Sequence, residues 1–259
     1  MKSKNKQPKI LIFDIETCPI EAYVWGLFDQ NVGLEQIKED WSVLSWSAKW
    51  LGEKKVMYMD VRNEKNVRND IKVLKGIWKL LDEADVVITQ NGVRFDEKKL
   101  NSRFIINGMQ PTSSFRHIDL LKISRKRFAH TSNKLAYVTD KLNKKYKKLD
   151  HKKFPGFSMW KECMKGNKAA FREMEVYNKY DVLSLEEAYH TYAAWDNSIN
   201  LNVYNTQGDL TCTCGSTSFL KRGFRYSNTG KFQRYRCNQC GKETSDGVNV
   251  LKDTKKILR

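Results

Sequence analysis

The stretch Lys9-Ile-Leu-Ile-Phe-Asp-Ile-Glu-Thr-Cys-Pro19 decides how the rest of the chain is read. Ile10 to Phe13 is a short apolar run rich in β-branched residues, the composition of a strand buried on both faces. It leads directly into Asp14 and Glu16. On an extended chain, residues two apart point to the same face, so two carboxylates stand side by side and repel each other. A strand end with acidic turn residues is the bland reading. A cation held between them is the chemical one, and hard oxygen ligands favour Mg²⁺ or Mn²⁺. Matching carboxylates further along the chain would favour the cation.

The whole chain of 259 residues is 40% hydrophobic, enough for a core of roughly one and a half domains. It carries 47 Lys and Arg against 30 Asp and Glu, a formal charge of +17. Such an excess favours a polyanionic partner, nucleic acid above all. No apolar run approaches the ~20 residues that span a bilayer. The basic start Met1 to Lys9 meets four apolar residues and then Asp14, which is not a secretory signal. A soluble, cytoplasmic protein is expected, with no membrane partner.

Residues 1–8 are polar and basic and expected to be disordered. Val43 to Trp50 and Lys55 to Met59 read as two strands that form an antiparallel meander with the first. Asp70 to Leu81 carries apolar residues at 71, 74, 77, 78 and 81, a helical spacing, with Asp70 placed to help its N-terminus. Ala84 to Thr89 is a further buried strand, ending at Gln90-Asn-Gly92. Strand, strand, strand, helix, strand predicts an α/β fold with a mixed sheet flanked by helices. Ala169 to Trp195 reads as one or two helices. Asp196 to Asp209 is polar and Asn-rich, so the domains are expected as 9–196, a linker over 197–210, a small module over 211–245 and a basic tail over 246–259.

Residues 122–153 hold twelve Lys or Arg and two acidic residues, a net +10. A charge run is usually a solvated face. Here it is interleaved with Tyr137, Tyr146 and Phe154, which suits a surface where cations neutralise phosphates and aromatics stack bases.

Two more acidic segments match the first. Asn91-Gly-Val-Arg-Phe-Asp96 follows the 84–89 strand, and a helix N-cap would explain Asp96 in isolation. Tyr177-Asn-Lys-Tyr-Asp181 puts Tyr177 and Asp181 on one helix face. Taken together, Asp14-Ile-Glu16, Asn91 to Asp96 and Tyr177 with Asp181 resemble, over roughly residues 9–195, the three motifs of the DEDD (DnaQ-like) 3′–5′ exonuclease family of the ribonuclease H-like superfamily. Ser132-Asn-Lys-Leu135 and Phe157-Ser-Met-Trp160 resemble the predicted phage-type, polymerase-like subgroup. Tyr177 marks the tyrosine subclass, since position 176 is Val where the other subclass carries His.

The resemblance implies two Mg²⁺ or Mn²⁺ ions. Asp14 would bridge them, Glu16 and Asp181 would complete the site of the attacking water, Asp96 would serve the second ion, and Tyr177 would orient the water. Asn91, Lys134, Lys144, Lys145, Lys147 and Lys148 are candidate contacts to nucleic acid, with DNA favoured and RNA possible. Asp119 is a weaker candidate acid, and the four histidines show no partner pattern.

Of the six cysteines, Cys18 and Cys163 stand alone and four cluster as Cys212-Thr-Cys214 and Cys237-Asn-Gln-Cys240, with 22 residues between the pairs. Two thiolate pairs suit tetrahedral Zn²⁺. The first pair has one intervening residue where zinc ribbons usually have two. The segment between them alternates basic and aromatic residues with the period of strands and resembles the zinc ribbons of DNA-processing proteins. Arg222, Arg225, Arg234 and Arg236 are its candidate nucleic-acid contacts. The expectation is a two-metal 3′–5′ exonuclease with a C-terminal β zinc ribbon. The alternatives are a weakly catalytic nucleic-acid-binding subunit recruited to replication or recombination proteins, and an endonuclease of the same fold.

Overall fold

In a computed structural model, residues 8–149, 153–196, 198, 200–204 and 208–251 are described. Most of the expected basic tails fall outside these residues, as does part of the 197–210 segment. Lys9–Ala188 forms one compact unit, and residues from Tyr189 onward belong to another. The dividing point lies inside a helix, ahead of the polar segment.

The first unit is built on β1 (Ile10–Thr17). A two-strand hairpin follows, β2 (Glu21–Ala22) and β3 (Ile37–Glu39). Its connecting loop leaves Trp25, Leu27 and Phe28 almost fully exposed, a feature that periodicity did not single out. Then come β4 (Val43–Trp50), β5 (Met57–Asp60), α1 (Ile71–Glu83), β6 (Val86–Thr89), α2 (Asp96–Ile106) and β7 (Arg116–Asp119). The helices α3 (Leu120–Arg127), α4 (Leu135–Leu142), α5 (Ser158–Met164) and α6 (Lys168–Tyr192) complete it.

The five-stranded sheet has the order β5-β4-β1-β6-β7. β1 pairs antiparallel with β4 and parallel with β6, and β6 pairs parallel with β7, so the sheet is mixed, as expected. β1 is central, which is why its apolar residues run on without polar interruption. Leu11, Phe13 and Ile15 belong to a core shared with Val73, Leu74 and Ile77 of α1, Leu100 and Phe104 of α2, and Phe171 and Met174 of α6. Ile10 and Ile12 alternate to the opposite face, and Asp14 and Glu16 continue their row.

One local expectation yields to long-range partners. Asp70 does not cap α1 with its side chain. The carboxylate is fully buried and instead accepts the Val43 N–H at 2.9 Å and the two-pronged guanidinium of Arg103 at 2.8 and 2.7 Å. A buried carboxylate needs a matched fork of donors more than a helix end needs a cap. Asp119 caps α3: its Oδ1 accepts from Leu121 N at the start of that helix and from Asn91 N at 2.9 Å.

The second unit contains β8 (Phe219–Ser227), β9 (Gly230–Cys237) and β10 (Glu243–Asn249), an antiparallel sheet in the order β10-β9-β8. No described helix is long and apolar enough to cross a membrane.

Candidate acidic centre and cysteine cluster

β1 outruns its parallel neighbour. Pairing with β6 ends at Ile12 opposite Ile88, so the last residues of β1 have no strand on that side. The Ile15 N–H there needs a partner, and Asp96 Oδ1 accepts it at 3.1 Å. Asp96 therefore does not cap its helix. It opens α2 as the first helical residue and turns inward, 2% exposed.

The tight connection from β6 to α2 makes this possible. Asn91 takes a left-handed φ of 66°. A Cβ at Gly92 would lie 2.2 Å from Thr89 Oγ1, which accepts the Gly92 N–H at 3.1 Å. Only glycine fits there.

α6 delivers the other half of the centre. Asp14, Glu16 and Asp181 each present a carboxylate oxygen within 4.8 Å of the others. Asp96 stands outside that triad but beside it: after burial, its charge is the largest push on Asp14. The donors are all oxygen, three carboxylates at one point, and this set fits a hard divalent cation.

The charges are frustrated without one. Burial, then the charges of Asp96, Asp181 and Glu16, raise the Asp14 carboxyl well above the usual range. Burial and Asp181 push Glu16 up to about 8, and burial pushes Asp96 to about 7.

Three neighbours that sequence reasoning had not assigned to this centre orient it. Asn178, fully buried, donates from Nδ2 to Asp14 Oδ2 at 2.6 Å. The Trp160 indole hydrogen-bonds Glu16 and meets the Tyr177 ring edge-on at 6.4 Å. Lys148 is the third. A candidate nucleic-acid contact by its sequence, it lies in the centre itself: its Nζ donates to Asp181 Oδ2 at 2.6 Å and lies 4.4 Å from the Tyr177 ring centroid. Burial pulls the Lys148 ammonium down, but the negative charge of Asp181 and the Tyr177 hydroxyl outweigh it and hold it charged. Glu187 sets its reach by accepting the backbone N–H groups of Lys144, Lys145 and Tyr146 at 2.6, 3.1 and 2.8 Å. Lys134, Lys144, Lys145 and Lys147 remain exposed. The signal for Asn178 was available in principle, since it shares a helix face with Asp181 three residues on.

These shifts have a measurable consequence. Glu16 and Asp96 hold their protons up to about 8 and 7 when folded, against ordinary values of 4.5 and 3.8. The folded state thus binds more protons than the unfolded one across that window, and stability falls as pH rises through it. The melting temperature of metal-free protein is expected to drop between about pH 6 and 8. Added Mn²⁺ should raise it more at the upper end, and Glu16→Gln should flatten the slope. A metal-free melting temperature that rises over this range would contradict the electrostatics.

In the second unit, all four cysteine sulfurs lie within 4.8 Å of one another. Cys212 and Cys240 are 3.5 Å apart, and Cys214 and Cys237 3.6 Å. Zn–S bonds of ~2.3 Å in a tetrahedron place sulfurs about 3.8 Å apart, so the cluster fits a thiophilic ion. Cys212 takes part despite its short spacing because its turn is one residue tighter. Gly215 N donates to Cys212 O, whereas in the second pair Gly241 N donates to Cys237 O. Both glycines are left-handed, with φ of 87° and 76°. Burial opposes ionisation of the Cys237 thiol, but the N–H groups of Cys240 and Gln239 and the Cys214 side chain bring it down to about 6.

Among solved structures, the chain is similar to the family B DNA polymerase from the hyperthermophilic archaeon Pyrobaculum calidifontis, at 14% identity and a TM-score of 0.49. That match covers 72% of this chain and about a quarter (25%) of the polymerase. No curated protein matches the sequence. The RNase H superfamily profile, however, matches residues 11–193, which include all but the first residue of β1, the triad and the whole of α6, and the chain therefore belongs to the RNase H superfamily.

Proposed function

We propose that the chain is a divalent-metal-dependent nuclease that shortens nucleic acid, DNA by preference, from its 3′ end. The observation that carries this reading is the convergence of Asp14, Glu16 and Asp181 within 4.8 Å, in a chain of this superfamily. Asp14, Glu16 and Asp181 would hold one Mg²⁺ or Mn²⁺, with Asp96 the nearest further carboxylate for a second. Such ions supply an activated water and stabilise charge on the oxygens of the scissile phosphate.

The side chains do the rest. Asn178 and Trp160 fix the Asp14 and Glu16 carboxylates, so little reorganisation is needed as charge develops. Burial and the neighbouring Asp181 push the Tyr177 phenol up to about 12. It stays protonated at neutral pH and orients the attacking water as a hydrogen-bonding group, not as a base. Lys148 offers an ammonium to a non-bridging oxygen of the phosphate. The 3′ direction rests on the resemblance of Tyr177 and Asp181 to the tyrosine-subclass motif.

The test uses 5′-labelled single-stranded DNA and RNA of one sequence with Mg²⁺, Mn²⁺ or EDTA. The expected result is a ladder that shortens from the 3′ end, absent with EDTA. Cleavage of a circular strand would replace the exonuclease by an endonuclease. Intact substrate after incubation with folded protein and Mn²⁺ would leave a nucleic-acid-binding protein.

A further inference from the structure

The ribbon sheet has two chemically different faces, and a backbone irregularity sorts them. Lys221 pairs with Tyr235, and the next pair is Phe224 with Gln233. β8 therefore advances three residues while β9 advances two, and Arg222 and Gly223 together oppose Arg234. This is a β-bulge, with Gly223 in the left-handed region at φ 73° and its carbonyl accepting from Gln233 Nε2 at 2.8 Å. In a regular strand Arg222 and Arg225, three apart, would point to opposite faces. The bulge restores the phase. Tyr235 and Gln233 share a face, so their partners Lys221 and Phe224 share it, and Arg222 and Arg225 both take the other.

That other face also receives Arg234 and Arg236, which alternate with Gln233 and Tyr235 along β9. All four arginines are exposed. Glu243 lies 3.2 Å from Arg236 and 3.7 Å from Arg234 and offsets one of the four charges. Arg225 lies over the Phe232 ring at 4.8 Å. The opposite face carries Phe224, Tyr226 and Lys231.

We propose that Arg222, Arg225, Arg234 and Arg236 form one phosphate-binding face that grips the nucleic-acid backbone. Charge complementarity favours this occupant: planar guanidinium forks suit phosphate oxygens. The site lies outside the acidic centre and needs no catalysis.

The test measures binding of a fluorescein-labelled duplex by anisotropy, with zinc-loaded full chain and EDTA-free buffer lacking Mg²⁺ and Mn²⁺, between about 50 and 200 mM salt. Each neutralised phosphate contributes about −0.9 to the slope of log affinity against log salt. Replacing all four arginines by Gln should reduce the slope by about 3 to 4, and each single replacement by about 1. Lys221→Gln with Lys231→Gln, on the opposite face, should leave it nearly unchanged. Zinc content and circular dichroism confirm that each variant is folded. A slope unchanged in the folded quadruple variant overturns the proposal and reassigns the face to an acidic protein. Equal losses from the two faces also overturn it. Neither result bears on the nuclease reading, which the cleavage ladder tests separately.

Discussion

Asp181→Asn is expected to lower the cleavage rate by about 10³-fold or more while leaving the nuclease unit folded. The size follows from what a bound divalent ion contributes, several kcal/mol of charge stabilisation, at about 1.4 kcal/mol per tenfold in rate. The amide keeps the shape of the carboxylate but removes one of three charges that converge within 4.8 Å. Oligonucleotide affinity should hold or improve, because a negative charge facing phosphate is gone. Asp14→Asn should behave alike and also disturb the Asn178 contact at 2.6 Å. Lys148→Ala should cost less, about 10- to 100-fold, as it removes one charge-assisted contact and no metal ligand. Single-turnover cleavage with titrated Mn²⁺ reads all three. Activity of Asp181→Asn within tenfold of the parent would remove this residue from the centre.

Loss of an ion held by the four cysteines should abolish the ribbon outright. The strands β8 to β10 bury only Gly230 and Cys237, with no aliphatic or aromatic side chain fully enclosed. Without an apolar core the sheet would depend on an ion held by its four cysteines, and structural zinc supplies about 10–16 kcal/mol in small domains. Cys237→Ser is expected to take zinc from one per chain to none and to open the ribbon to proteolysis after residue 208. The first unit should survive, since its core runs from Leu11 to Met174 and uses none of these residues. Cys212→Ser should give the same result if the tighter Gly215 turn makes it a ligand. Full zinc retention in Cys212→Ser, measured by metal analysis, would mean a three-cysteine site.

Re-adding Mn²⁺ to a chelated sample separates the two centres. Oxygen donors take Mn²⁺ readily, while thiolates prefer the softer zinc. The melting transition assigned to the first unit should recover, and the ribbon's protease resistance should not.

Much of this was legible in the sequence, and for definite reasons. The β-branched run before Asp14 and the helical spacings of Asp70 to Leu81 and Ala169 to Trp195 are local periodicities, which a chain carries wherever it folds. That the latter stretch forms one helix and not two came only with the fold. The side-by-side placement of Asp14 and Glu16 needs only the period of a strand. The thiol quartet follows from spacing, although the participation of Cys212 waited on the turn at Gly215.

The tertiary structure decided what sequence could not, because the deciding partners are far apart in the chain. Asp96, which in isolation reads as a helix cap and by resemblance groups with the metal-binding acids, accepts from the backbone of Ile15, 81 residues away, since β6 stops short of it. Asp70 gave up its helix for Arg103, 33 residues on. Lys148 belonged to a charge run and proved to face Asp181, 33 residues later, because Glu187 gathers the loop before it. The four arginines share a face through a bulge that strict alternation does not foresee. Local pattern sets which elements form. Burial then forces each polar group to find a partner, and only the assembled fold determines which one is within reach.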